Sequence, residues 1–159
     1  MIGLSIIAAL LFVVMLFVVI GKYGMPEMVS SIYYLLGKSG WVFQLVLVLF
    51  GALMMACLLD SELGEPCLVF LACTGLMFVG AAPRFLDKNE HKIHKTAAIM
   101  SAVASVAWCL TVDWRIVLAF LAWYGVYWVG RDNDSKPWFT AEVMAVMLVL
   151  LTYWRTYLF

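Results

Sequence analysis

Long apolar runs, each with at most one charge, recur along this chain of 159 residues. A helix needs about 20 mostly apolar residues to cross the hydrocarbon core of a bilayer, within a range of about 17–25. Apolar residues make up 66% of the chain, against about 45–50% in soluble globular domains. The pattern predicts one all-α domain, a polytopic integral membrane bundle of six transmembrane helices. The predicted spans are residues 2–20, 41–59, 66–82, 96–112, 114–130 and 138–154.

A shorter amphipathic segment lies between the first two runs. Residues 26–36 have Pro26 near their start and Gly37 just beyond their end, which is typical of a helix. About three turns are too short to span a membrane. We therefore expect an interfacial helix at the level of the lipid headgroups. The alternative is a cytoplasmic continuation of a neighbouring span.

Basic residues are distributed unevenly between the two sets of connections. The first, third and fifth connections carry eight Lys and Arg, whereas the other two connections and the termini carry only Arg115 and Arg155. Basic loops stay in the cytoplasm under the positive-inside rule. The basic residues thus predict an integral membrane protein with both termini outside the cytoplasm. The expected location is a bacterial-type inner membrane.

Charge and motifs exclude several classes of function. Lys plus Arg and Asp plus Glu number 10 each, so net charge indicates no nucleic-acid partner, and membrane lipids are the expected surroundings. The chain has no P-loop, no dinucleotide-binding glycine motif and no G-x-S-x-G nucleophile motif. No cofactor is expected.

The chain's two histidines lie one helical turn apart. His91 and His94 stand at i and i+3, and Asp87 and Glu90 precede them by four residues each. Carboxylates and imidazoles in this spacing are a candidate metal site. The alternative is a solvated helix start, in which Asp87 caps a helix from about residue 88 and acids near the N-terminus offset the helix dipole.

Glu142 is the acid placed deepest in an apolar run, about 7 Å into the last predicted helix. Ionisable residues inside spans are costly and face a partner or a cavity. We expect Arg84, Arg131 or His94 as its partner. The alternative is a carboxylate shallow enough to reach headgroup water.

The fourth predicted span is rich in small residues. Ala97, Ser101 and Ser105 follow one another at intervals of four. Such a seam permits close approach of a second helix, so we expect this span to be central in the bundle.

Three landmarks of the chain are the segment Ser30-Ser31-Ile32-Tyr33-Tyr34, the step Ala82-Pro83-Arg84, and His94 followed by Ala97-Ala98. Together they resemble a bacterial family of small six-span membrane proteins of unknown function, akin to DRAM/FRAG-type proteins. The chain departs from the family pattern at Ala82, where an aromatic residue is usual, and at the additional His91. The resemblance implies that Tyr33, Tyr34, Arg84 and His94 converge at the cytoplasmic face.

Our leading hypothesis is a non-enzymatic membrane protein that binds or passes a small molecule, lipid or ion near the cytoplasmic face. Its candidate ligand-binding residues are Tyr33, Tyr34, Arg84, His94 and Glu142. Six short helices enclose only a narrow cavity, so a pore would require a homo-oligomer. Two rivals remain open: a membrane-embedded enzyme with a metal on Asp87, Glu90, His91 and His94, and a purely structural or partner-binding subunit.

Overall fold

The structure, a computed structural model, describes residues 1–132 and 135–158, with side chains described through residue 156. Helices make up nearly all of this part of the chain, and no strand occurs in it. The helices are α1 (Ile2–Tyr23), α2 (Ile32–Leu36), α3 (Gly40–Asp60), α4 (Pro66–Ala81), α5 (Lys88–Gly130) and α6 (Pro137–Leu158). The prediction of an all-α fold is confirmed.

Four helical runs are long and apolar enough to cross a membrane. They are Ile2–Tyr23, Val29–Asp60, Lys88–Gly130 and Pro137–Thr156. The described residues thus contain four such runs, whereas the sequence predicts six spans. The predicted third span is a helix of 16 residues, and the predicted fourth and fifth spans lie within α5.

The helix α5 is broken at Asp113, the one residue inside it with a non-helical backbone (φ −153°, ψ 91°). The Asp113 side chain accepts a hydrogen bond from the backbone N–H of Arg115 at 3.1 Å, as an N-cap residue does. It also forms an ion pair with Arg155 on α6. A second helical segment thus begins at the break, which is where the sequence predicts a tight turn between two spans.

Neighbouring segments run antiparallel. His94, Ser101 and Trp108 on α5 bond to successively earlier residues around α4. Beyond the break, Tyr127 bonds to Thr140 while Asp113 pairs with Arg155. The part of α5 after Asp113 therefore lies antiparallel to α6.

The predicted close approach at the small-residue seam is confirmed. The Ser101 hydroxyl donates to the carbonyl of Ala72 on α4 at 2.8 Å. A Cβ atom added to Gly75 of α4 would lie 2.9 Å from the Ala97 carbonyl oxygen and from the Ser101 backbone nitrogen. Glycine at residue 75 lets the two backbones meet.

The bundle has two chemically different ends. The connections after α1, α4 and α5 meet at one end, and together with the adjoining helix turns they carry most of the basic residues, so we call it the basic end. There the Tyr34 hydroxyl accepts from the Leu86 N–H at 3.0 Å, and Glu27 pairs with Lys136 at 2.5 Å. At the opposite end, the Trp154 indole donates to Ser5 at 2.9 Å, and the Trp108 indole donates to the Leu63 carbonyl at 2.9 Å.

The expected interfacial helix over residues 26–36 is shorter than predicted. Met28 is extended, a 3₁₀ turn covers Val29–Ser31, and α2 has only five residues. Helical turns follow one another from Val29 to Asp60, but Gly37 between α2 and α3 has a left-handed backbone (φ 53°, ψ −116°). The segment is therefore not a straight continuation of α3 either. The helix does not start at Pro26 because the backbone of Glu27 bonds instead to α6.

A candidate binding cavity inside the bundle

An interior cavity of about 140 Å³ lies between α1, α3, α4, α5 and α6. Most of its wall is apolar, from side chains such as Phe12, Phe50, Met54, Leu76 and Val149. Besides the thiol of Cys73, five lining residues outside the aromatic set carry polar or ionisable side chains: Ser30, His94, Ser101, Ser105 and Glu142. The indole of Trp108 lines the cavity toward the opposite end of the bundle.

Glu142 reaches this cavity from the second turn of α6. Its Oε2 atom accepts a hydrogen bond from the backbone N–H of Val29 at 2.5 Å. Val29 begins the 3₁₀ turn, so its N–H has no partner within its own helix. The carboxylate satisfies that donor, and the positive end of a helical segment favours a negative charge there.

Two further bonds hold the same two segments together. The N–H of Phe139, in the first turn of α6, donates to the Glu27 carbonyl at 3.1 Å. The Lys136 ammonium contacts the Glu27 carboxylate at 2.5 Å. Each segment thus supplies acceptors for free N–H groups at the start of the other, which fixes Glu142 at the cavity.

The predicted basic partner of Glu142 is not found among the described residues. Arg84 pairs with Glu90, and the Arg131 guanidinium lies 3.7 Å from the centre of the Trp128 ring. His94 lines the same cavity, yet its Nδ1 bonds to the Ala82 carbonyl and not to Glu142. The group that donates a hydrogen bond to this carboxylate is thus the backbone N–H of Val29 and not a basic side chain.

His94 is buried, with 9% of its surface exposed. Its Nδ1 lies 2.9 Å from the carbonyl oxygen of Ala82, the residue that ends α4. Carbonyls at a helix C-terminus lack partners within the helix, so His94 donates from Nδ1 to one of them. In the neutral ring this assignment leaves Nε2 as a hydrogen-bond acceptor.

Tyr33 and Tyr34 approach His94 through a row of aromatic rings and do not line the cavity. The Tyr33 and Tyr34 rings are 5.4 Å apart, Tyr34 and Phe85 are 5.2 Å apart, and Phe85 and His94 are 5.2 Å apart. The two tyrosines therefore lie near one end of the candidate site. Their role as ligand-binding residues stays a prediction, because neither lines the cavity itself.

Arg84 lies at the surface of the basic end. Its guanidinium contacts the Glu90 carboxylate at 2.6 and 2.8 Å, and its backbone N–H donates to the same carboxylate at 3.1 Å. The hydrogen bond that the Arg84 guanidinium donates to Glu90 and the charge of that carboxylate raise the pKa of Arg84. With 58% of its side chain exposed, Arg84 is outside the cavity.

The four residues of the predicted metal site do not converge. Asp87 caps the start of α5 by accepting from the Asn89 N–H at 2.8 Å, and Glu90 pairs with Arg84. His91 and His94 bond to two different carbonyls, those of Phe85 and Ala82. Among the residues the structure describes, no three His, Cys, Asp or Glu side chains are arranged to hold a metal ion. The predicted helix start at residue 88, capped by Asp87, is confirmed.

Sequence reasoning missed Ser30 and Trp108 as lining residues. Ser30 follows Val29, whose N–H donates to Glu142. Trp108 follows the small-residue seam by less than one helical turn. The seam itself was a usable signal, because the side of α5 that carries Ser101 and Ser105 also faces the cavity.

Comparison with known proteins identifies no relative: no protein-family model, no curated protein and no solved structure matches this chain. The resemblance to DRAM/FRAG-type proteins stays a prediction. Arguments about function therefore depend on the cavity and its surroundings.

Proposed function

We propose that this chain is a non-enzymatic integral membrane protein whose interior cavity binds a small amphipathic molecule. The observation that carries the proposal is the cavity of about 140 Å³, which has apolar walls together with Glu142 and His94. Ligand sites are concave, mostly apolar, and contain a few polar groups that orient the ligand. This arrangement has both properties.

We further propose that the chain crosses the membrane six times. The break at Asp113 divides α5 into two segments, and the second segment runs antiparallel to α6. A continuous helix of 43 residues would extend about 65 Å at 1.5 Å per residue, about twice the hydrocarbon thickness. Two crossings accommodate these residues, and α4 with its flanking residues supplies another.

The outer surface of the bundle supports a lipid environment. Large apolar side chains on three different helical segments are widely exposed, for example Phe17 at 79%, Phe70 at 55% and Val129 at 88%. Water would oppose exposure of this much apolar surface, whereas lipid tails do not. The basic end is proposed to face the cytoplasm, with both termini on the other side of a bacterial-type inner membrane. A homo-oligomer stays a prediction.

The cavity favours a binding protein over the two rivals. A metal-dependent enzyme on His91 and His94 would require ligands that converge, and the described side chains there bond elsewhere. A purely structural subunit would be expected to have no polar cavity around Glu142, whereas Glu142 lines one.

Filling the cavity tests the proposal. Ala98 is half-buried and lines the cavity, so Ala98→Phe should place a ring in it. We expect the wild-type chain in phosphatidylcholine nanodiscs to give a saturable binding signal with benzyl alcohol in saturation-transfer NMR. The Ala98→Phe variant should lose that signal.

Val103→Phe is the matched control, because Val103 lies on the same helix but is 65% exposed and does not line the cavity. It should bind benzyl alcohol as the wild type does. Equal binding by the wild type and by a folded Ala98→Phe variant would contradict the proposal.

A further inference from the structure

We propose that the cavity selects a primary ammonium group attached to a small apolar body. This inference deepens the proposed function by naming the chemical class of the ligand. It depends on which hydrogen-bonding atoms of Glu142 and His94 are already occupied and on the absence of a cation from the cavity lining.

The polar side chains of the cavity offer acceptors. Glu142 uses Oε2 for the Val29 N–H, and no described residue donates a hydrogen bond to its Oε1. His94 donates from Nδ1 to the Ala82 carbonyl, so its Nε2 is left as an acceptor. The hydroxyl of Ser30, which both donates and accepts, lines the same cavity.

The described cavity lining contains neither Lys nor Arg. The nearby cations are engaged elsewhere: Arg84 with Glu90, Lys136 with Glu27, and Arg131 over the Trp128 ring. A carboxylate in an apolar site without a countercharge is costly unless it is protonated or paired. A ligand ammonium would supply that pair and would donate hydrogen bonds to the carboxylate and the imidazole.

The volume limits the body of the ligand. An apolar protein cavity of about 150 Å³ admits a benzene ring. The cavity here has about 140 Å³ and is walled by residues such as Phe12, Leu47 and Leu76. A single ring or a short alkyl chain therefore fits beside the acceptors.

Three ligands with the same ring and different polar ends test the inference. The full-length chain in phosphatidylcholine nanodiscs is titrated at pH 7 with benzylamine, benzyl alcohol and benzoate, and Ala98→Phe nanodiscs give the background from partition into lipid. We expect benzylamine to bind at least about tenfold more tightly than benzyl alcohol, because a charge-assisted hydrogen bond is about twice as strong as a neutral one. Benzoate should not exceed the background.

Glu142→Gln is the matched variant. Its amide oxygen still accepts from the Val29 N–H, so the local fold is retained while the charge is lost. The preference for benzylamine over benzyl alcohol should be lost in this variant, because the charge that selects an ammonium group is gone. If Glu142→Gln does not fold, the comparison of the three ligands on the wild type still decides.

The outcomes separate the two proposals. Equal binding of benzylamine and benzyl alcohol, or tighter binding of benzoate, overturns the ammonium class and leaves the binding cavity standing. Binding of none of the three above the Ala98→Phe background overturns the proposed function itself. Retention of the benzylamine preference in a folded Glu142→Gln variant overturns the assignment to this carboxylate.

A primary ammonium group occurs both on soluble amines and on the headgroup of phosphatidylethanolamine. Repeating the benzylamine titration in nanodiscs that contain phosphatidylethanolamine distinguishes these sources. A weaker apparent affinity indicates competition by the headgroup, and an unchanged affinity indicates a soluble amine. Either result is consistent with the ammonium class.

Discussion

Glu142 lies inside an apolar helix with its carboxylate bonded to a backbone N–H of another segment. The 3₁₀ turn at Val29–Ser31 starts with free N–H groups, as every helix does, and these need acceptors when they are buried. A carboxylate at such a start gains a hydrogen bond and a favourable interaction with the local dipole. Glu142 is thereby held in one place beside the cavity.

Removing this acceptor should destabilise the protein. Glu142→Ala leaves the Val29 N–H without its partner, which costs about 1–3 kcal/mol for a buried donor. Glu142→Gln keeps the bond and should stay close to wild type. Thermal unfolding of the purified variants in detergent, followed by circular dichroism, measures the difference, with Glu62→Ala in the loop after α3 as the control for loss of a carboxylate. A Glu142→Ala variant as stable as Glu62→Ala would refute a structural role for the bond.

The site residues show what sequence can and cannot predict. Glu142 and His94 are recognisable because a charged or titratable residue in an apolar run needs a reason to be there, and both line the cavity. The partner of Glu142 is not recognisable, because a backbone N–H belongs to every residue except proline and leaves no trace in the side-chain pattern. Arg84 was expected there because it is basic and near the same end, but Glu90, six residues along the chain, pairs with it.

At the scale of helices, the backbones of α4 and the first part of α5 approach each other closely. Gly75 faces Ala97 and Ser101, and Ser101 bonds to Ala72 across the contact. With lipid outside the bundle, helix association depends on van der Waals contact and on interhelical hydrogen bonds such as this one. The same part of α5 forms one wall of the cavity, so this contact also determines where that wall lies.

Gly75→Ala should disturb this contact. The new Cβ would lie 2.9 Å from backbone atoms of α5, which cannot move without shifting the helix, and overpacking of this kind typically costs about 1–3 kcal/mol. Gly125→Ala is the matched control, because Gly125 is also helical and has no neighbouring atom within 4 Å of an added Cβ. We expect the melting temperature to fall for Gly75→Ala and to stay level or rise for Gly125→Ala. A Gly75→Ala variant as stable as Gly125→Ala would mean that the helices separate at no cost.

Helix positions were predictable where apolar length alone determines them. The predicted spans 2–20, 41–59 and 138–154 lie within α1, α3 and α6. A long apolar run in lipid forms a helix because the helix satisfies its backbone hydrogen bonds internally. The segment 26–36 was predicted less well. Its periodicity indicates one helix, but hydrogen bonds from Glu27 to the start of α6 keep the first residues extended, and only the folded chain brings those partners together.

The whole molecule separates its charges between two ends. The basic end contains Arg84, Lys136 and the start of α5, whereas the connection between α3 and α4 at the opposite end contains only acidic charges. The break at Asp113 is near that opposite end, since Asp113 pairs with Arg155 close to the end of α6. The three connections that, together with the adjoining helix turns, carry most of the basic residues therefore meet at one end of the bundle, as the positive-inside rule requires of loops on one side of a membrane.

The four cysteines offer a direct test of the proposed orientation. Cys67 is exposed at the start of α4, at the opposite end, whereas Cys57, Cys73 and Cys109 are buried. A maleimide that does not cross membranes should therefore label the wild-type chain in intact bacterial spheroplasts, and Cys67→Ser should abolish the labelling.

In the Cys67→Ser background, Lys88→Cys places a thiol at the exposed start of α5, at the basic end, and should be labelled only after the membrane is opened. Labelling of Lys88→Cys in intact spheroplasts, with protection of Cys67, would reverse the orientation and put the basic connections outside. Labelling of both thiols in intact spheroplasts would contradict the assignment of the two ends to opposite sides of a membrane, because it is the bilayer, and not the fold, that separates them.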